Sequence, residues 1–138
     1  MGQIYTDPNG TYSVVIPDEW EYVAVSHSIA FYNPNGFGAL NVSSMRSPKG
    51  VPADPELVIR DFVPKHVLEG GSLRILHQAP PDEKMSVAYT AYLADDDAWR
   101  VWVTAHSDRV VTASYNCKMV SKGKEDAIVD DIIKSMML

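Results

Sequence analysis

The sequence predicts an α+β domain in which a mostly antiparallel β-sheet is flanked by helices. Runs of β-branched and aromatic residues, separated by turns rich in Pro, Gly and Asn, open the chain and return in its second half. One segment with helical spacing of apolar residues lies between these two groups, and another ends the chain. Because the connections are too short for parallel crossovers, except across the middle helix, the strands are expected to pair antiparallel.

Five strands are predicted before the middle helix. Pro17 ends the second of them, because proline cannot donate a hydrogen bond to a ladder. Segments 7–10 and 33–36 are turns, and a hairpin is expected around Ser26 and His27. The predicted strands cover residues 4–6, 12–16, 20–25, 28–32 and 39–45. Because Trp20 begins a strand directly after Pro17 has ended one, we expect its ring to lie in the core.

The middle helix is marked by its first three residues. Asp54 can cap it, Pro55 suits the first helical position, and Glu56 complements the positive end of the helix dipole. Pro64 interrupts the apolar pattern that follows, so a kink or break is expected just before it. The glycine pair at 70–71 ends the element.

Strands at 73–77, 85–93, 99–106 and 110–119 follow, and then a final helix that opens at Ser121 or Lys122. The apolar stripe of this helix comprises Ile128, Val129, Ile132, Ile133, Met136 and Met137. We expect the stripe to dock on one sheet face, formed by Val101, Val103, Val111 and Ala113. The whole chain, residues 1–138, is predicted to be one domain.

The order of these elements resembles the PsbP-like superfamily, which has uncharacterised bacterial members. The resemblance rests on a strand ending in I-P-D-E-W at 16–20 and a final helix ending in I-x-K-S-M at 132–136, with the helix and meander between them. It implies an α/β/α sandwich around an antiparallel sheet and a non-catalytic binding or accessory protein. The superfamily has no shared catalytic motif, so the resemblance transfers no functional residue.

Composition and charge limit the classes of function that this protein can have. The net charge is −6 and the 12 basic residues form no compact run, which disfavours nucleic-acid binding. No apolar run approaches the length of a membrane span. The single cysteine, Cys117, excludes an internal disulfide and fits a reducing compartment, so a cytoplasmic protein is expected; a trimmed secreted form stays open.

The search for catalytic chemistry predicts neither a cofactor nor a metal site. The histidines, at 27, 66, 77 and 106, have no metal-ligand spacing, and the sequence holds no nucleotide-binding or hydrolase motif. The acidic triplet at 95–97 lacks the spacing of a calcium loop and is interpreted as a hairpin turn. Cys117 is expected to be an inert buried thiol, because strand alternation places it on the opposite face from His106 and disfavours a catalytic pair.

One surface stands out as a candidate binding site. The face opposite the Val and Ala rows of the late strands is predicted to carry a mixed set of aromatic, hydroxyl and cationic side chains, which are typical of recognition surfaces. The set is Ala88, Thr90, Tyr92, Arg100, Trp102, Thr104, His106, Thr112, Ser114, Asn116 and Lys118. The candidate binding residues are Tyr92, Arg100, Trp102, Thr104 and His106. The alternative is that a helix covers this face, with Trp102 and Tyr92 packed beneath it.

Two functions are therefore predicted. The first is a non-catalytic binding or accessory protein, a monomer or weak dimer, that holds a protein partner on a sheet face or its flanking loops. The alternative is a small-molecule-binding domain or small enzyme with a pocket around Trp102, Arg100 and His106. A deep pocket with convergent polar groups would favour the second function, and a shallow exposed apolar patch the first.

Overall fold

Two antiparallel sheets and three α-helices form the fold in the computed structural model, which describes residues 2–49, 51, 53–71 and 73–138. The strands are β1 (Gly2–Thr6), β2 (Ser13–Pro17), β3 (Glu21–Val25), β4 (Ser28–Tyr32), β5 (Gly38–Arg46), β6 (Leu76–Gln78), β7 (Ser86–Ala94), β8 (Asp97–His106) and β9 (Arg109–Lys118). The helices are α1 (Pro55–Phe62), α2 (Lys65–Glu69) and α3 (Asp126–Lys134), with a short 3₁₀ helix at Met119–Ser121 before α3.

The large sheet has seven strands in the order β3-β4-β5-β9-β8-β7-β6, and β1 pairs with β2 in a separate two-stranded sheet. All neighbouring strands are antiparallel. The longest ladders join β5, β9, β8 and β7 at the centre, where β-branched residues are concentrated. The predicted α+β fold with a mostly antiparallel sheet is therefore confirmed.

The two faces of the large sheet are covered by different elements. We call them the α3 face and the α1 face, after the helices that pack on them. The α3 face carries the larger core, to which β2 and α3 contribute from above the sheet. This core contains Tyr12, Val14, Ile16, Trp20, Phe31, Leu40, Val42, Val87, Ala98, Trp102, Val111, Ala113, Tyr115, Cys117, Val129, Ile132 and Met136. The smaller core of the α1 face lies where α1 packs on β7 and β8, and contains Ile59, Ala88, Val101, Val103 and Val110.

The predicted docking face of the final helix is therefore wrong in part. The helix does pack over Val111 and Ala113, but Val101 and Val103 lie on the other face, under α1. The physical reason is register, since Val103 pairs directly with Thr112 and not with a member of the Val111 row. Alternation within a strand fixes which residues share a face, but it does not fix the phase between two neighbouring strands.

The middle helix follows its sequence signals. The side chain of Asp54 accepts a hydrogen bond from the backbone N–H of Glu56 at 3.0 Å, and Pro55 is the first helical residue. The helix ends at Phe62, ahead of Pro64, and the chain continues as the short helix α2. Within the residues that the structure describes, no helix has the length and apolar character needed to cross a membrane.

The final helix begins later than predicted. Ser121 belongs to the 3₁₀ helix and Lys122 follows it, so neither opens α3. Gly123 then adopts a φ of +89°, a left-handed conformation that interrupts helical winding, and α3 starts at Asp126. At the other end of the chain, Met137 forms an isolated antiparallel bridge with Ser13, which joins the C-terminal segment to β2.

Trp20 lies in the core, as predicted, with only 1% of its surface exposed. We expect Trp20→Ala to lower the free energy of unfolding by about 3–5 kcal/mol, because the substitution leaves a large cavity among fixed neighbours. Trp99→Ala is the matched control, since the indole of Trp99 is only partly buried and should contribute less. Urea denaturation measures both values, and equal losses would contradict the assignment of Trp20 to the core.

Candidate functional site

Arg100 is the most highly connected of the five candidate binding residues. Its side chain lies on the α3 face and is 17% exposed. The guanidinium donates hydrogen bonds from Nε to the Tyr89 hydroxyl at 3.0 Å and from Nη2 to Asp130 at 2.6 Å. Nη1 lies 3.4 Å from a carboxylate oxygen of Asp126. The group also sits over the Trp102 ring, with 4.6 Å between the guanidinium carbon and the ring centroid.

These contacts make Arg100 a link between β8 and α3. Burial lowers the pKa of Arg100, but the hydrogen bonds with Tyr89 and Asp130 outweigh it, and the net pKa lies above its ordinary value. The side chain therefore stays charged, and two carboxylates of α3, one at its first residue and one at its middle, balance that charge. Its geometry is that of a helix clamp in which Nε and Nη2 are hydrogen-bonded, while the buried Nη1 has only the ion pair with Asp126.

The other candidate residues on β8 are not grouped into a site. Trp102 and Thr104 are buried, at 2% and 3% exposure, within the cores rather than at the surface. His106 is half-buried at the far end of β8, where it pairs in register with Arg109. A shared pocket of Trp102, Arg100 and His106 is therefore not formed.

Tyr92 lies on the opposite face from Arg100, so the predicted common face is wrong. Tyr92 pairs in register with Trp99, whereas Arg100 pairs with Ala91 and Tyr115. The phase of β7 against β8 thus places the two side chains on opposite faces, although both line one cavity at the end of the sheet. The Tyr92 ring stacks on Trp99, with 6.0 Å between centroids and planes 5° apart, and burial raises the pKa of the Tyr92 hydroxyl to about 12.

A cavity of about 220 Å³ lies beside Arg100 at the end of the sheet. Strands β7, β8 and β9 form its floor, and the segment that leads into α3, including Lys122 and Asp126, forms its wall. Cys117 also lines the cavity. The volume is below the range of about 300–1,000 Å³ that is typical of ligand pockets.

Cys117 is buried, as predicted, and 5% of its surface is exposed. Burial raises the pKa of the thiol, the hydrogen bond with Tyr115 partly opposes this, and the nearby carboxylates of Glu125, Asp126 and Asp97 raise the pKa further. The expected separation of Cys117 and His106 on opposite faces is wrong, because Cys117 pairs with Ala98, which shares the face of His106. The two do not form a nucleophile and base because His106 lies at the other end of the β8–β9 ladder. The thiolate is correspondingly scarce at neutral pH.

Glu125 is an important buried residue that the sequence did not single out. It is 4% exposed, and its Oε1 accepts hydrogen bonds from the backbone N–H groups of Phe37 and Gly38, at 3.1 and 2.9 Å. The same oxygen accepts a hydrogen bond from the Tyr115 hydroxyl at 2.6 Å. Burial and this bond raise the pKa of Tyr115. Glu125 thereby ties the β4–β5 turn to the start of α3, a structural role for a buried carboxylate.

The α1 face is covered over only part of its width. Helix α1 packs on β7 and β8, and among the helices and strands of the described residues none packs extensively over β3, β4 and β5 on this face. We call this region the open half; among the side chains on it are Val23, Val25, Tyr32, Ala39, Asn41 and Ser43. Val23 and Val25 are 48% and 47% exposed, and the other four are partly exposed. The open half is therefore a shallow, mixed apolar and polar surface.

In the parts of the chain that the structure describes, no three His, Cys, Asp or Glu side chains are placed to hold a metal ion. The carboxylates nearest Arg100 are paired with it, and the three hydrogen bonds to Glu125 are all accepted by Oε1.

Comparison with solved structures shows that the chain has a PsbP-like fold. It matches the cyanobacterial PsbP (CyanoP) of Synechocystis sp. PCC 6803 with a TM-score of 0.71 and 15% identity, over 99% of this chain and 91% of that one. It matches a protein of Bacteroides thetaiotaomicron VPI-5482 with a TM-score of 0.69 and 18% identity, over 99% of this chain. This chain spans about half, 48%, of the Bacteroides protein.

The resemblance drawn from the sequence is thus confirmed at the level of fold. No protein-family model and no curated protein sequence matches the chain. The fold is therefore shared with these structures while the sequences have diverged widely.

The thiol of Cys117 should react slowly in the folded protein. With its pKa raised, the thiolate fraction at pH 7 is small, and the packing around the sulfur excludes a bulky reagent. We expect a chromogenic disulfide reagent to label the protein rapidly in denaturant, but slowly in buffer at pH 7 and faster as the pH rises. Rapid labelling of the folded protein at pH 7 would contradict the burial of an inert thiol.

The clamp of Arg100 on α3 should be measurable as stability. Asp130→Asn removes the charge that accepts the 2.6 Å hydrogen bond and should lower the free energy of unfolding by about 1 kcal/mol, a value limited by the partial exposure of Asp130. Asp131→Asn is the matched control on the next residue, which is exposed and forms no ion pair within the described chain. Equal effects of the two substitutions in urea denaturation would contradict the clamp.

Proposed function

We propose that the protein is a non-catalytic accessory protein that binds a protein partner on the open half of its sheet. The observation that carries this proposal is the contrast between the two faces. The α3 face is closed by a helix and a two-stranded sheet, whereas the open half presents exposed Val23 and Val25 beside the partly exposed Tyr32. Exposed apolar and tyrosine side chains in one shallow patch are typical of protein-binding surfaces.

The charged residues on the α3 face support the same proposal. Arg100 is paired with Asp126 and Asp130, and Oε1 of the buried Glu125 accepts hydrogen bonds from the two backbone amides that follow the β4–β5 turn. A catalytic acid, base or nucleophile needs a free and accessible group, and these groups are neither.

The small-molecule alternative is less well supported by the geometry. Of the three residues expected around its pocket, only Arg100 lines the cavity beside α3. That cavity has about 220 Å³, and its cation already has two carboxylate partners. The PsbP-like fold favours the accessory role by analogy alone. A cytoplasmic location remains part of the proposal, since the lone cysteine is a free thiol.

Affinity capture from the native host tests the proposal when variants are compared side by side. Asn41→Arg places a bulky cation in the middle of the open half and should abolish recovery of the partner by disrupting shape complementarity. Leu57→Arg is the control, because Leu57 is an exposed apolar residue on α1, at 62% exposure, outside the open half.

We expect mass spectrometry to find one protein in near-stoichiometric amount with the wild type and with Leu57→Arg, and to find it lost with Asn41→Arg. Isothermal titration calorimetry with the purified partner then measures the affinity of each of the three proteins, which should follow the same order as the recovery. Recovery that is equal for all three proteins, or no recovered partner with the wild type, would contradict the proposed function.

A further inference from the structure

Strand β3 forms one edge of the seven-stranded sheet, and it is exposed along its whole length. It pairs with β4 through five consecutive residue pairs, from Glu21 with Tyr32 to Val25 with Ser28, so no bulge interrupts it. All five of its residues are exposed. An uninterrupted edge of this kind presents a row of free backbone hydrogen-bonding groups.

The turn that closes the β3–β4 hairpin fixes which groups are free. Because Ser26 and His27 form a two-residue turn, the Val25–Ser28 pair that flanks it is hydrogen-bonded. The alternation of an antiparallel ladder then directs the N–H and C=O groups of Tyr22 and Ala24 away from β4. These four groups are the ones that an added strand would pair with.

The opposite edge of the sheet is protected in ways that β3 is not. Strand β6 is only three residues long, and Pro80 and Pro81 follow shortly after it. Short length and proline are two common ways in which sheets prevent edge pairing. Strand β3 holds neither proline nor lysine.

Apolar side chains flank the β3 edge on both faces of the sheet. Val23 and Val25 lie on the side of the open half. On the α3 face Tyr22 is 54% exposed, and its ring lies 5.0 Å from that of Tyr5 on β1. An extended segment on this edge would place alternate side chains against the valines and against the tyrosines.

The charge around β3 selects the kind of segment. No Lys or Arg precedes Arg46 in the sequence, and Asp18, Glu19 and Glu21 are exposed at the start of β3. Lys118 lines one cavity with Glu21, but its charge is paired with Asp97 at 3.3 Å. A second copy of this chain would bring another edge with no lysine or arginine beside these carboxylates. A segment that carries basic residues would instead be attracted to them.

We propose that β3 is the docking strand for an extended segment of a protein partner, in which apolar residues alternate and basic residues flank them. The segment adds to the sheet as an eighth strand and hydrogen-bonds to the outward groups of Tyr22 and Ala24. This inference rests on the proposed function and specifies the kind of segment that the partner contributes. The two sites adjoin, because Val23 and Val25 belong both to the edge strand and to the open half.

Ala24→Pro tests the proposal at the backbone. Proline removes the outward N–H of residue 24 and leaves the β3–β4 ladder intact, because proline is tolerated in an edge strand where the N–H faces solvent. Ala24→Thr is the matched control, since it keeps the N–H and suits a strand. Thermal melts followed by circular dichroism establish that both variants are folded.

The probes are two fluorescein-labelled peptides with one alternating Val-Thr core, flanked by Lys pairs in one and by Glu pairs in the other. In anisotropy titrations we expect the Lys peptide to bind the wild type and Ala24→Thr equally, and Ala24→Pro about tenfold more weakly. The Glu peptide should bind the wild type about tenfold more weakly than the Lys peptide. Equal affinity of the Lys peptide for both variants, equal affinity of the two peptides, or no binding to the wild type would overturn the proposal.

Two further measurements distinguish strand addition at β3 from a dimer of this chain and from a partner that binds the open half without adding a strand. Sedimentation that finds a wild-type dimer dissociated by Ala24→Pro would assign the edge to a second copy of the chain and overturn it. In affinity capture, an Ala24→Pro protein that still recovers the partner lost by Asn41→Arg would overturn the edge proposal and leave the proposed function standing. Absence of any partner with the wild type would overturn the proposed function itself.

Discussion

The packing of α3 on the centre of the large sheet is the contact on which most of this structure depends. Val129, Ile132 and Met136 are buried against Trp102 and the middle of β9. Burying apolar side chains of this size contributes about 1.5–3 kcal/mol each. Because the segment after α3 also bridges to β2, the helix holds the two-stranded sheet in place as well as covering the large one.

The polar groups on the α3 face hold the helix in the position that this packing requires. Arg100 reaches from β8 to two carboxylates in the first half of α3, and Glu125 reaches from just before α3 to two backbone amides after the β4–β5 turn. A buried charge is tolerated only when it is paired or hydrogen-bonded, and both residues meet this condition. Glu125 and the two carboxylates that bind Arg100 all lie in one short segment, so the orientation of α3 is fixed by directional bonds as well as by apolar contact.

The two faces of the sheet consequently have different properties. One is closed by apolar packing and satisfied charges, while the other leaves β3, β4 and β5 accessible. Strands β3 and β4 contain no lysine or arginine, and Asp18, Glu19 and Glu21 are exposed at the start of β3, so the outer edge of the accessible half is acidic. Recognition is thereby directed toward one edge and one face of the sheet.

The sequence by itself determined the order of the elements, because turns, caps and prolines act locally. Asp54 and Pro55 start the middle helix as expected, Pro17 ends a strand, and Trp20 enters the core. The start of α3 was misplaced because the left-handed Gly123 and the 3₁₀ turn before it leave little signal in hydrophobic periodicity. Glu125 was missed for a related reason, since a glutamate at a helix start is ordinarily a solvated residue.

The tertiary structure alone decided which residues share a face and which face stays open. Tyr92 and Arg100 each follow the alternation of their own strand, yet they lie on opposite sides because the turn between β7 and β8 has two residues, whereas the predicted turn also included Asp97. Trp102 and Val103 are neighbours in the chain, and the helix that covers each is set by long-range packing. Side-chain period is a local property of one strand, whereas register and coverage are cooperative properties of the whole sheet.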